Sequence, residues 1–79
     1  MTNVLHIVLH AHLRFYNGGS EHRDVPYVPG DSVADYIARL EIPHHEYMGI
    51  VLDGTLSGDL AQVPPPGGTL ELVPAVSGG

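Results

Sequence analysis

Thr69-Leu70-Glu71-Leu72-Val73-Pro74-Ala75-Val76-Ser77-Gly78-Gly79 closes the chain, and the reading of this stretch decides the rest. Thr69 to Val73 alternates, with Leu70 and Leu72 on one side, as a strand with one buried face does. Pro74 removes a backbone donor and stops the run. The residues after it are small: Ala75, Val76, Ser77 and then two glycines, which carry no side-chain chemistry and hold no fixed backbone shape. A thin segment ending in a carboxylate fits a narrow active site on another protein. Taken alone, it equally fits an ordinary frayed terminus.

Working back from that strand, Pro64-Pro65-Pro66-Gly67-Gly68 forms a rigid-then-flexible corner. Thr55 to Val63 holds at most one short strand. Met48-Gly49-Ile50-Val51-Leu52 is an apolar run closed by Asp53-Gly54, which predicts an interior strand and a tight turn. His44 to Tyr47 reads as a short turn or helical fragment. In Asp31-Ser32-Val33-Ala34-Asp35, Ser32 and Asp35 have the spacing of a capping box. Val33, Ile37 and Leu40 then share one helical face, with Tyr36 beside them, until Pro43. So short an amphipathic helix is stable only when it lies across a sheet.

At the start of the chain, Val4 to Phe15 alternates throughout. Leu5, Ile7, Leu9, Ala11, Leu13 and Phe15 fall on one side, and Val4, His6, Val8, His10, His12 and Arg14 on the other. This predicts one long strand in the interior of a sheet, since a long flat edge invites aggregation. Asn17-Gly18-Gly19 predicts a tight hairpin turn. The returning strand, Arg23 to Val28, contains Pro26, which cannot donate to a ladder and so belongs at an edge.

At 79 residues the chain is one small domain with one core. It has no cysteine, which removes disulfides, thiolate metal sites and a cysteine nucleophile and fits a reducing compartment. Nine acidic residues against three arginines, with no lysine, give a formal charge of −6. Nucleic acid is therefore not an expected partner, because phosphate binding depends on Lys and Arg. A basic protein partner is compatible with that charge, as is a simple role in solubility. No apolar run approaches the ~20 residues of a membrane helix, and the start lacks the pattern of a signal peptide. The expectation is a soluble, cytoplasmic protein without membrane contact.

The residues offer little catalytic chemistry. Ser20 with His22 and Ser32 with Asp35 are too close in sequence to imply a triad. There is no nucleophile elbow and no phosphate or dinucleotide loop. His6, His10 and His12 share a strand face, and His10 and His12 would lie about 7 Å apart at ~3.3 Å per residue. They form a line rather than a converging set, and no carboxylate on that strand completes it, so no metal site is assigned. The expectation is a protein that is not itself an enzyme and binds no cofactor.

The order of elements is a hairpin, one helix, and two or three further strands, the last running out of the sheet. This resembles the ubiquitin-like β-grasp, an α+β fold with a mixed four- to five-stranded sheet and one helix packed across it. More narrowly, Val33 to Leu40 after Pro29-Gly30, the strand and turn Val51-Leu52-Asp53-Gly54, and the ending Leu70 to Gly79 resemble the MoaD/ThiS family of sulfur carriers. The resemblance covers essentially the whole chain. It departs at Gly67-Gly68, where members usually have Gly-Asp, so the pairing of the last strand is open at this point.

The resemblance implies a domain over residues 1–74 and a flexible tail over 75–79. It implies that a MoeB/ThiF-like activating enzyme, using ATP and Mg, adenylates the Gly79 carboxylate. Sulfur from a persulfide donor then replaces the AMP and leaves a thiocarboxylate. The sulfur goes to cofactor biosynthesis, of the molybdopterin type before the thiamin type, with a molybdopterin synthase large subunit as an example of the accepting partner. Glycine at Gly79 leaves the acyl carbon uncrowded, and Gly78 lets the backbone press close to an enzyme wall. Val4, His6 and Val8 on the outer side of the first strand, with Leu72, Val73 and Val76, form the expected partner contact. Two alternatives use the same residues differently: a protein modifier joined through Gly79 to lysines of other proteins, and a β-grasp interaction domain with an inert tail.

Overall fold

The computed structural model describes residues 3–75. The strands are β1 (Val4–Leu9), β2 (His22–Pro26), β3 (Tyr47–Leu52), β4 (Thr55–Ser57) and β5 (Thr69–Pro74), with the helix α1 (Val33–Arg39) between β2 and β3. They form one sheet in the order β2-β1-β5-β3-β4. The first and last strands lie side by side and parallel, and every other pairing is antiparallel. This is the β-grasp architecture.

The alternation read from the sequence sorts the two faces of the sheet. Leu5, Ile7 and Leu9 of β1, Ile50 and Leu52 of β3, and Leu70 and Leu72 of β5 point inward. They meet Val33, Tyr36 and Ile37 of α1, with Leu40 and Ile42 just beyond it. The helix starts as its sequence predicts: Asp35 N–H donates to Ser32 Oγ at 3.3 Å, and Ser32 N–H donates to Asp35 Oδ2 at 2.9 Å. These bonds satisfy amides that the first helical turn leaves without partners. Ser32→Ala is expected to cost about 1 kcal/mol, read as a lowered urea midpoint with an unchanged slope.

The long first strand is not observed. β1 ends at Leu9, and residues Ala11–Asn17 form a 3-10 helix. Ala11 has φ 54°, which ends the extended run. The helical turn brings Leu13 into the core, while Phe15, expected inside, is 80% exposed with its ring edge-on to Tyr16. The spacing of Leu9, Leu13 and Tyr16 is four and three, which is a helical period. Over this segment that period and strict alternation share Leu9 and Leu13, and the core admits the helical one.

Asn17-Gly18-Gly19 accordingly closes a helix rather than a two-residue hairpin. Gly18 takes φ 60°, and Gly19 N–H donates to Arg14 O at 2.8 Å. Asn17 Nδ2 donates to Ser20 O and His22 O, which aims the chain into β2. Gly19 follows at φ 90°, and a second pair of positive φ angles stands in the expected tight turn at Asp53-Gly54, between paired Leu52 and Thr55.

The corner before β5 forms without the Gly-Asp pair. Gly67 N–H donates to Val4 O, and His6 N–H donates to Gly68 O. Asp53 Oδ1 accepts from Thr69 N–H at 2.9 Å, and Asp53 N–H donates to Thr69 O. A Cβ on Gly68 would stand 3.0 Å from Pro65 O and 3.2 Å from Asp53 Oδ1, so glycine is what lets the aspartate reach across. The last strand is then paired from its first residue, Thr69 opposite His6.

Candidate functional site

The outer face of the sheet is the side away from α1. By register, one row across it runs His22, Val8, Glu71, Val51, Leu56. A second places His6 between Asp24 and Thr69, and a third sets Val73 beside Gly49. Three of the expected contact residues, Val4, His6 and Val8, do share this face, with the valines half-buried and His6 exposed. Val73 lies on it too, half-buried.

Leu72 does not. It is fully buried, because its neighbours Glu71 and Val73 take the outer positions of an alternating strand. Its expected place in a partner contact is corrected to a place in the core. Val76, Gly78 and Gly79 lie outside the described residues.

The histidines do not line up as a continuous strand would place them. His6 Nδ1 lies 2.6 Å from Asp24 Oδ1 and His10 Nε2 2.8 Å from Glu71 Oε1. His12 Nε2 lies 3.2 Å from Glu46 Oε2. Each has turned to a different carboxylate on a different element. Among the described residues no group of three or more His, Asp or Glu is placed to hold a metal ion.

Two apolar residues that the sequence reading passed over stand out on this face. Leu56 is 72% and Met48 69% exposed. With Gly49, Gly58 and Val73 they border a hollow of about 460 Å³. Met48 reaches the surface through an irregularity in the β3–β5 register between Tyr47 and Gly49, which shifts it out of phase with Ile50 and Leu52. A bulge of this kind re-aims a side chain, and an unbroken apolar run in the sequence conceals it. Gly49 borders it without a side chain. A Cβ there would be in ordinary contact with Ser57 O and Leu56 Cδ1, at 3.7 and 3.9 Å.

The chain leaves the sheet beside this hollow. Val73 borders it, Pro74 pairs with Tyr47, and Ala75 N–H donates to Glu46 O at 2.9 Å. Tyr47, next to that exit, has its phenol pushed up from the ordinary value by burial and is held in the neutral form. The exit is thus anchored on the β3 side by backbone bonding, next to apolar groups that can accept a partner.

No family model matches the chain, and neither does any curated protein. Among solved structures, it is similar to the Haloferax volcanii HVO 2177 protein, determined in solution, with a TM-score of 0.77 over 99% of this chain and 88% of that one. The two share a fold. Identity with HVO 2177 is 20%, and at that level the likeness is one of backbone architecture. Among the described residues no helix is long and apolar enough to cross a membrane.

Proposed function

We propose that this protein is a sulfur carrier whose Gly79 carboxylate is the reacting group. The observation that carries the reading is the placement of β5. It is the central strand, bonded to β1 on one side and β3 on the other, and it leaves the sheet at Val73 to Ala75 beside the apolar hollow. A carrier needs such a firm mount for a thin reactive end.

The chemistry runs in three balanced steps. The carboxylate oxygen of Gly79 attacks the α-phosphorus of ATP on an activating enzyme, and pyrophosphate leaves. The terminal sulfur of a persulfide attacks the acyl carbon, and AMP leaves with the C–O bond electrons. A second thiol then attacks the remaining S–S bond, becoming oxidised in a disulfide and releasing the thiocarboxylate. That sulfur is passed to a precursor in cofactor biosynthesis, with molybdopterin-type acceptors preferred to thiamin-type. The domain contributes recognition, through Val8, Val51, Val73, Met48 and Leu56, and no catalytic side chain.

The test is the intact mass of protein incubated with its activating enzyme, ATP, Mg²⁺ and a persulfide donor. A gain equal to sulfur replacing oxygen, confined to the C-terminal peptide, supports the carrier. Conjugates through Gly79 to lysines of other proteins would replace it with the modifier reading, and an unchanged mass would leave only an interaction domain. Leu56→Asp tests the docking face. It changes an exposed residue and leaves stability within about 0.5 kcal/mol, while activation is expected to weaken on the order of tenfold, read as a raised KM with kcat retained.

A further inference from the structure

Asn17-Gly18 occurs once in the chain, and the chemistry of that pair bears on the corner it builds. Asn17 is one of two asparagines, and the other, Asn3, is followed by Val4, a β-branched residue that crowds the backbone beside it. Gly18 has no side chain to shield its nitrogen and takes a wide range of backbone angles. That nitrogen is bonded to the Asn17 carbonyl carbon, so its attack on Asn17 Cγ closes a five-membered ring.

In the folded chain both reacting groups are occupied. Asn17 Nδ2 donates to Ser20 O at 3.0 Å and to His22 O at 3.1 Å, which uses both of its hydrogens. Gly18 N–H donates to Arg14 O, which also accepts from Gly19 N–H at 2.8 Å. The nucleophile is tied back into the 3-10 helix Ala11–Asn17, while the side-chain amide is turned forward to β2. Ring closure needs both sets of bonds to open. Opening them disturbs little of the core: Leu13 is the one buried side chain of this helix, Asn17 is half-buried, and residues 18–20 are exposed. A segment with so few buried contacts opens without global unfolding.

We propose that Asn17 is a modification site gated by local opening, kept as asparagine by the folded corner and converted when that corner opens. Gly18 N loses its proton and bonds to Asn17 Cγ; the Cγ–Nδ2 bond breaks, and the amide leaves as ammonia with that proton. Water then adds to one of the two ring carbonyls and breaks its bond to nitrogen, leaving aspartate or isoaspartate at position 17. The sequence is redox-neutral and consumes only water.

Conversion changes the corner. A carboxylate accepts and cannot donate, so it sets a negative charge against the Ser20 and His22 carbonyl oxygens where two hydrogen bonds stood. The His22 carbonyl keeps Ser20 Oγ, at 3.2 Å, and the lead into β2 loses its aim. Isoaspartate also lengthens the main chain by one carbon between the helix and β2. The first sheet contact to feel this is Leu9 N–H, which donates to Glu21 O at 2.8 Å. The proposal does not depend on the sulfur-carrier reading.

The experiment incubates the full-length protein beside a capped synthetic peptide of residues 15–23 in the same mildly alkaline buffer. Trypsin, cutting after Arg14 and Arg23, isolates the Asn17 peptide, whose mass gain is that of a hydroxyl replacing an amino group. Aspartate and isoaspartate forms are separated by chromatography. Conversion is expected at Asn17 and not at Asn3, at least about tenfold slower in the folded protein than in the peptide, with the two rates converging in urea that unfolds the chain. Asn17→Asp, which reproduces one product, is expected to keep the amide dispersion of the fold. It should speed hydrogen exchange at Leu9 about fivefold, the worth of one hydrogen bond, with the Leu40 amide of α1 unchanged. Conversion at Asn3 instead of Asn17, or at neither, would overturn the site. A folded-state rate equal to the peptide's, or one seen only within the global urea transition, would overturn the gate. Leu9 exchange in Asn17→Asp equal to the parent's would overturn the consequence for β2.

Discussion

Removal of Gly78 and Gly79 is expected to leave the thermal midpoint unchanged and to abolish thiocarboxylate formation completely. The two halves of this result have separate causes. The core is made by residues from Leu5 to Leu72, and the last backbone bond described for the chain is the one from Ala75 N–H to Glu46 O. The deleted residues come after both. The shortened chain would end at Ser77, where a Cβ and hydroxyl stand beside the carboxylate that, on the carrier reading, is adenylated. Two residues of reach are also lost, about 7 Å at ~3.5 Å per extended residue, and a misplacement of even 1 Å costs about a hundredfold in a positioned reaction. The measurement is intact mass with activating enzyme, ATP, Mg²⁺ and persulfide, beside a melting curve of each protein. A truncated protein that still gains sulfur would overturn Gly79 as the reacting group, on which both the carrier and the modifier readings rest.

Leu72→Ala should do the opposite. It strongly weakens the fold and leaves the C-terminal carboxylate chemically intact. Leu72 is fully buried, paired with Leu9 in β1 and Ile50 in β3, so truncation opens a cavity at the centre of the sheet. Such changes cost about 2–5 kcal/mol, against a total stability of about 4–12 kcal/mol for a domain of this length. The variant is expected to be partly or wholly unfolded at 25 °C, seen as lost amide dispersion and a urea transition that begins without a native baseline. Were Leu72 a docking residue instead, the variant would melt like the parent and fail only in activation.

How much of this was legible in the sequence depended on whether one period or two could be read from the same residues. The β5 alternation, the Ser32–Asp35 cap and the edge position forced by Pro26 each rest on a single local rule, and each is observed. Residues 10–17 failed because Leu9 and Leu13 satisfy both a strand and a helix, and only the limited width of the core decides between them. The outer face of the sheet was half legible. Val4, His6, Val8 and Val73 follow from alternation, whereas Met48 depends on a register irregularity and Leu56 on which face a three-residue strand presents. The hollow between β2 and α1 that Arg23 and Arg39 border was invisible, since it joins residues far apart in the chain that only the crossing of α1 over the sheet brings together.

The parallel pairing of β1 with β5 joins the two ends of the chain, and this has a consequence for how the protein is made. The sheet has no centre until its last strand arrives, so contacts of long sequence separation must form before the core closes, and folding is slow for the domain's size. During synthesis the chain emerges with β1 and β2 first, and these have nothing in the middle to pack against until β5 is out. On the carrier reading, the reacting end follows the strand whose insertion completes the fold. On the carrier reading, an activating enzyme that recognises the completed sheet acts only on finished protein.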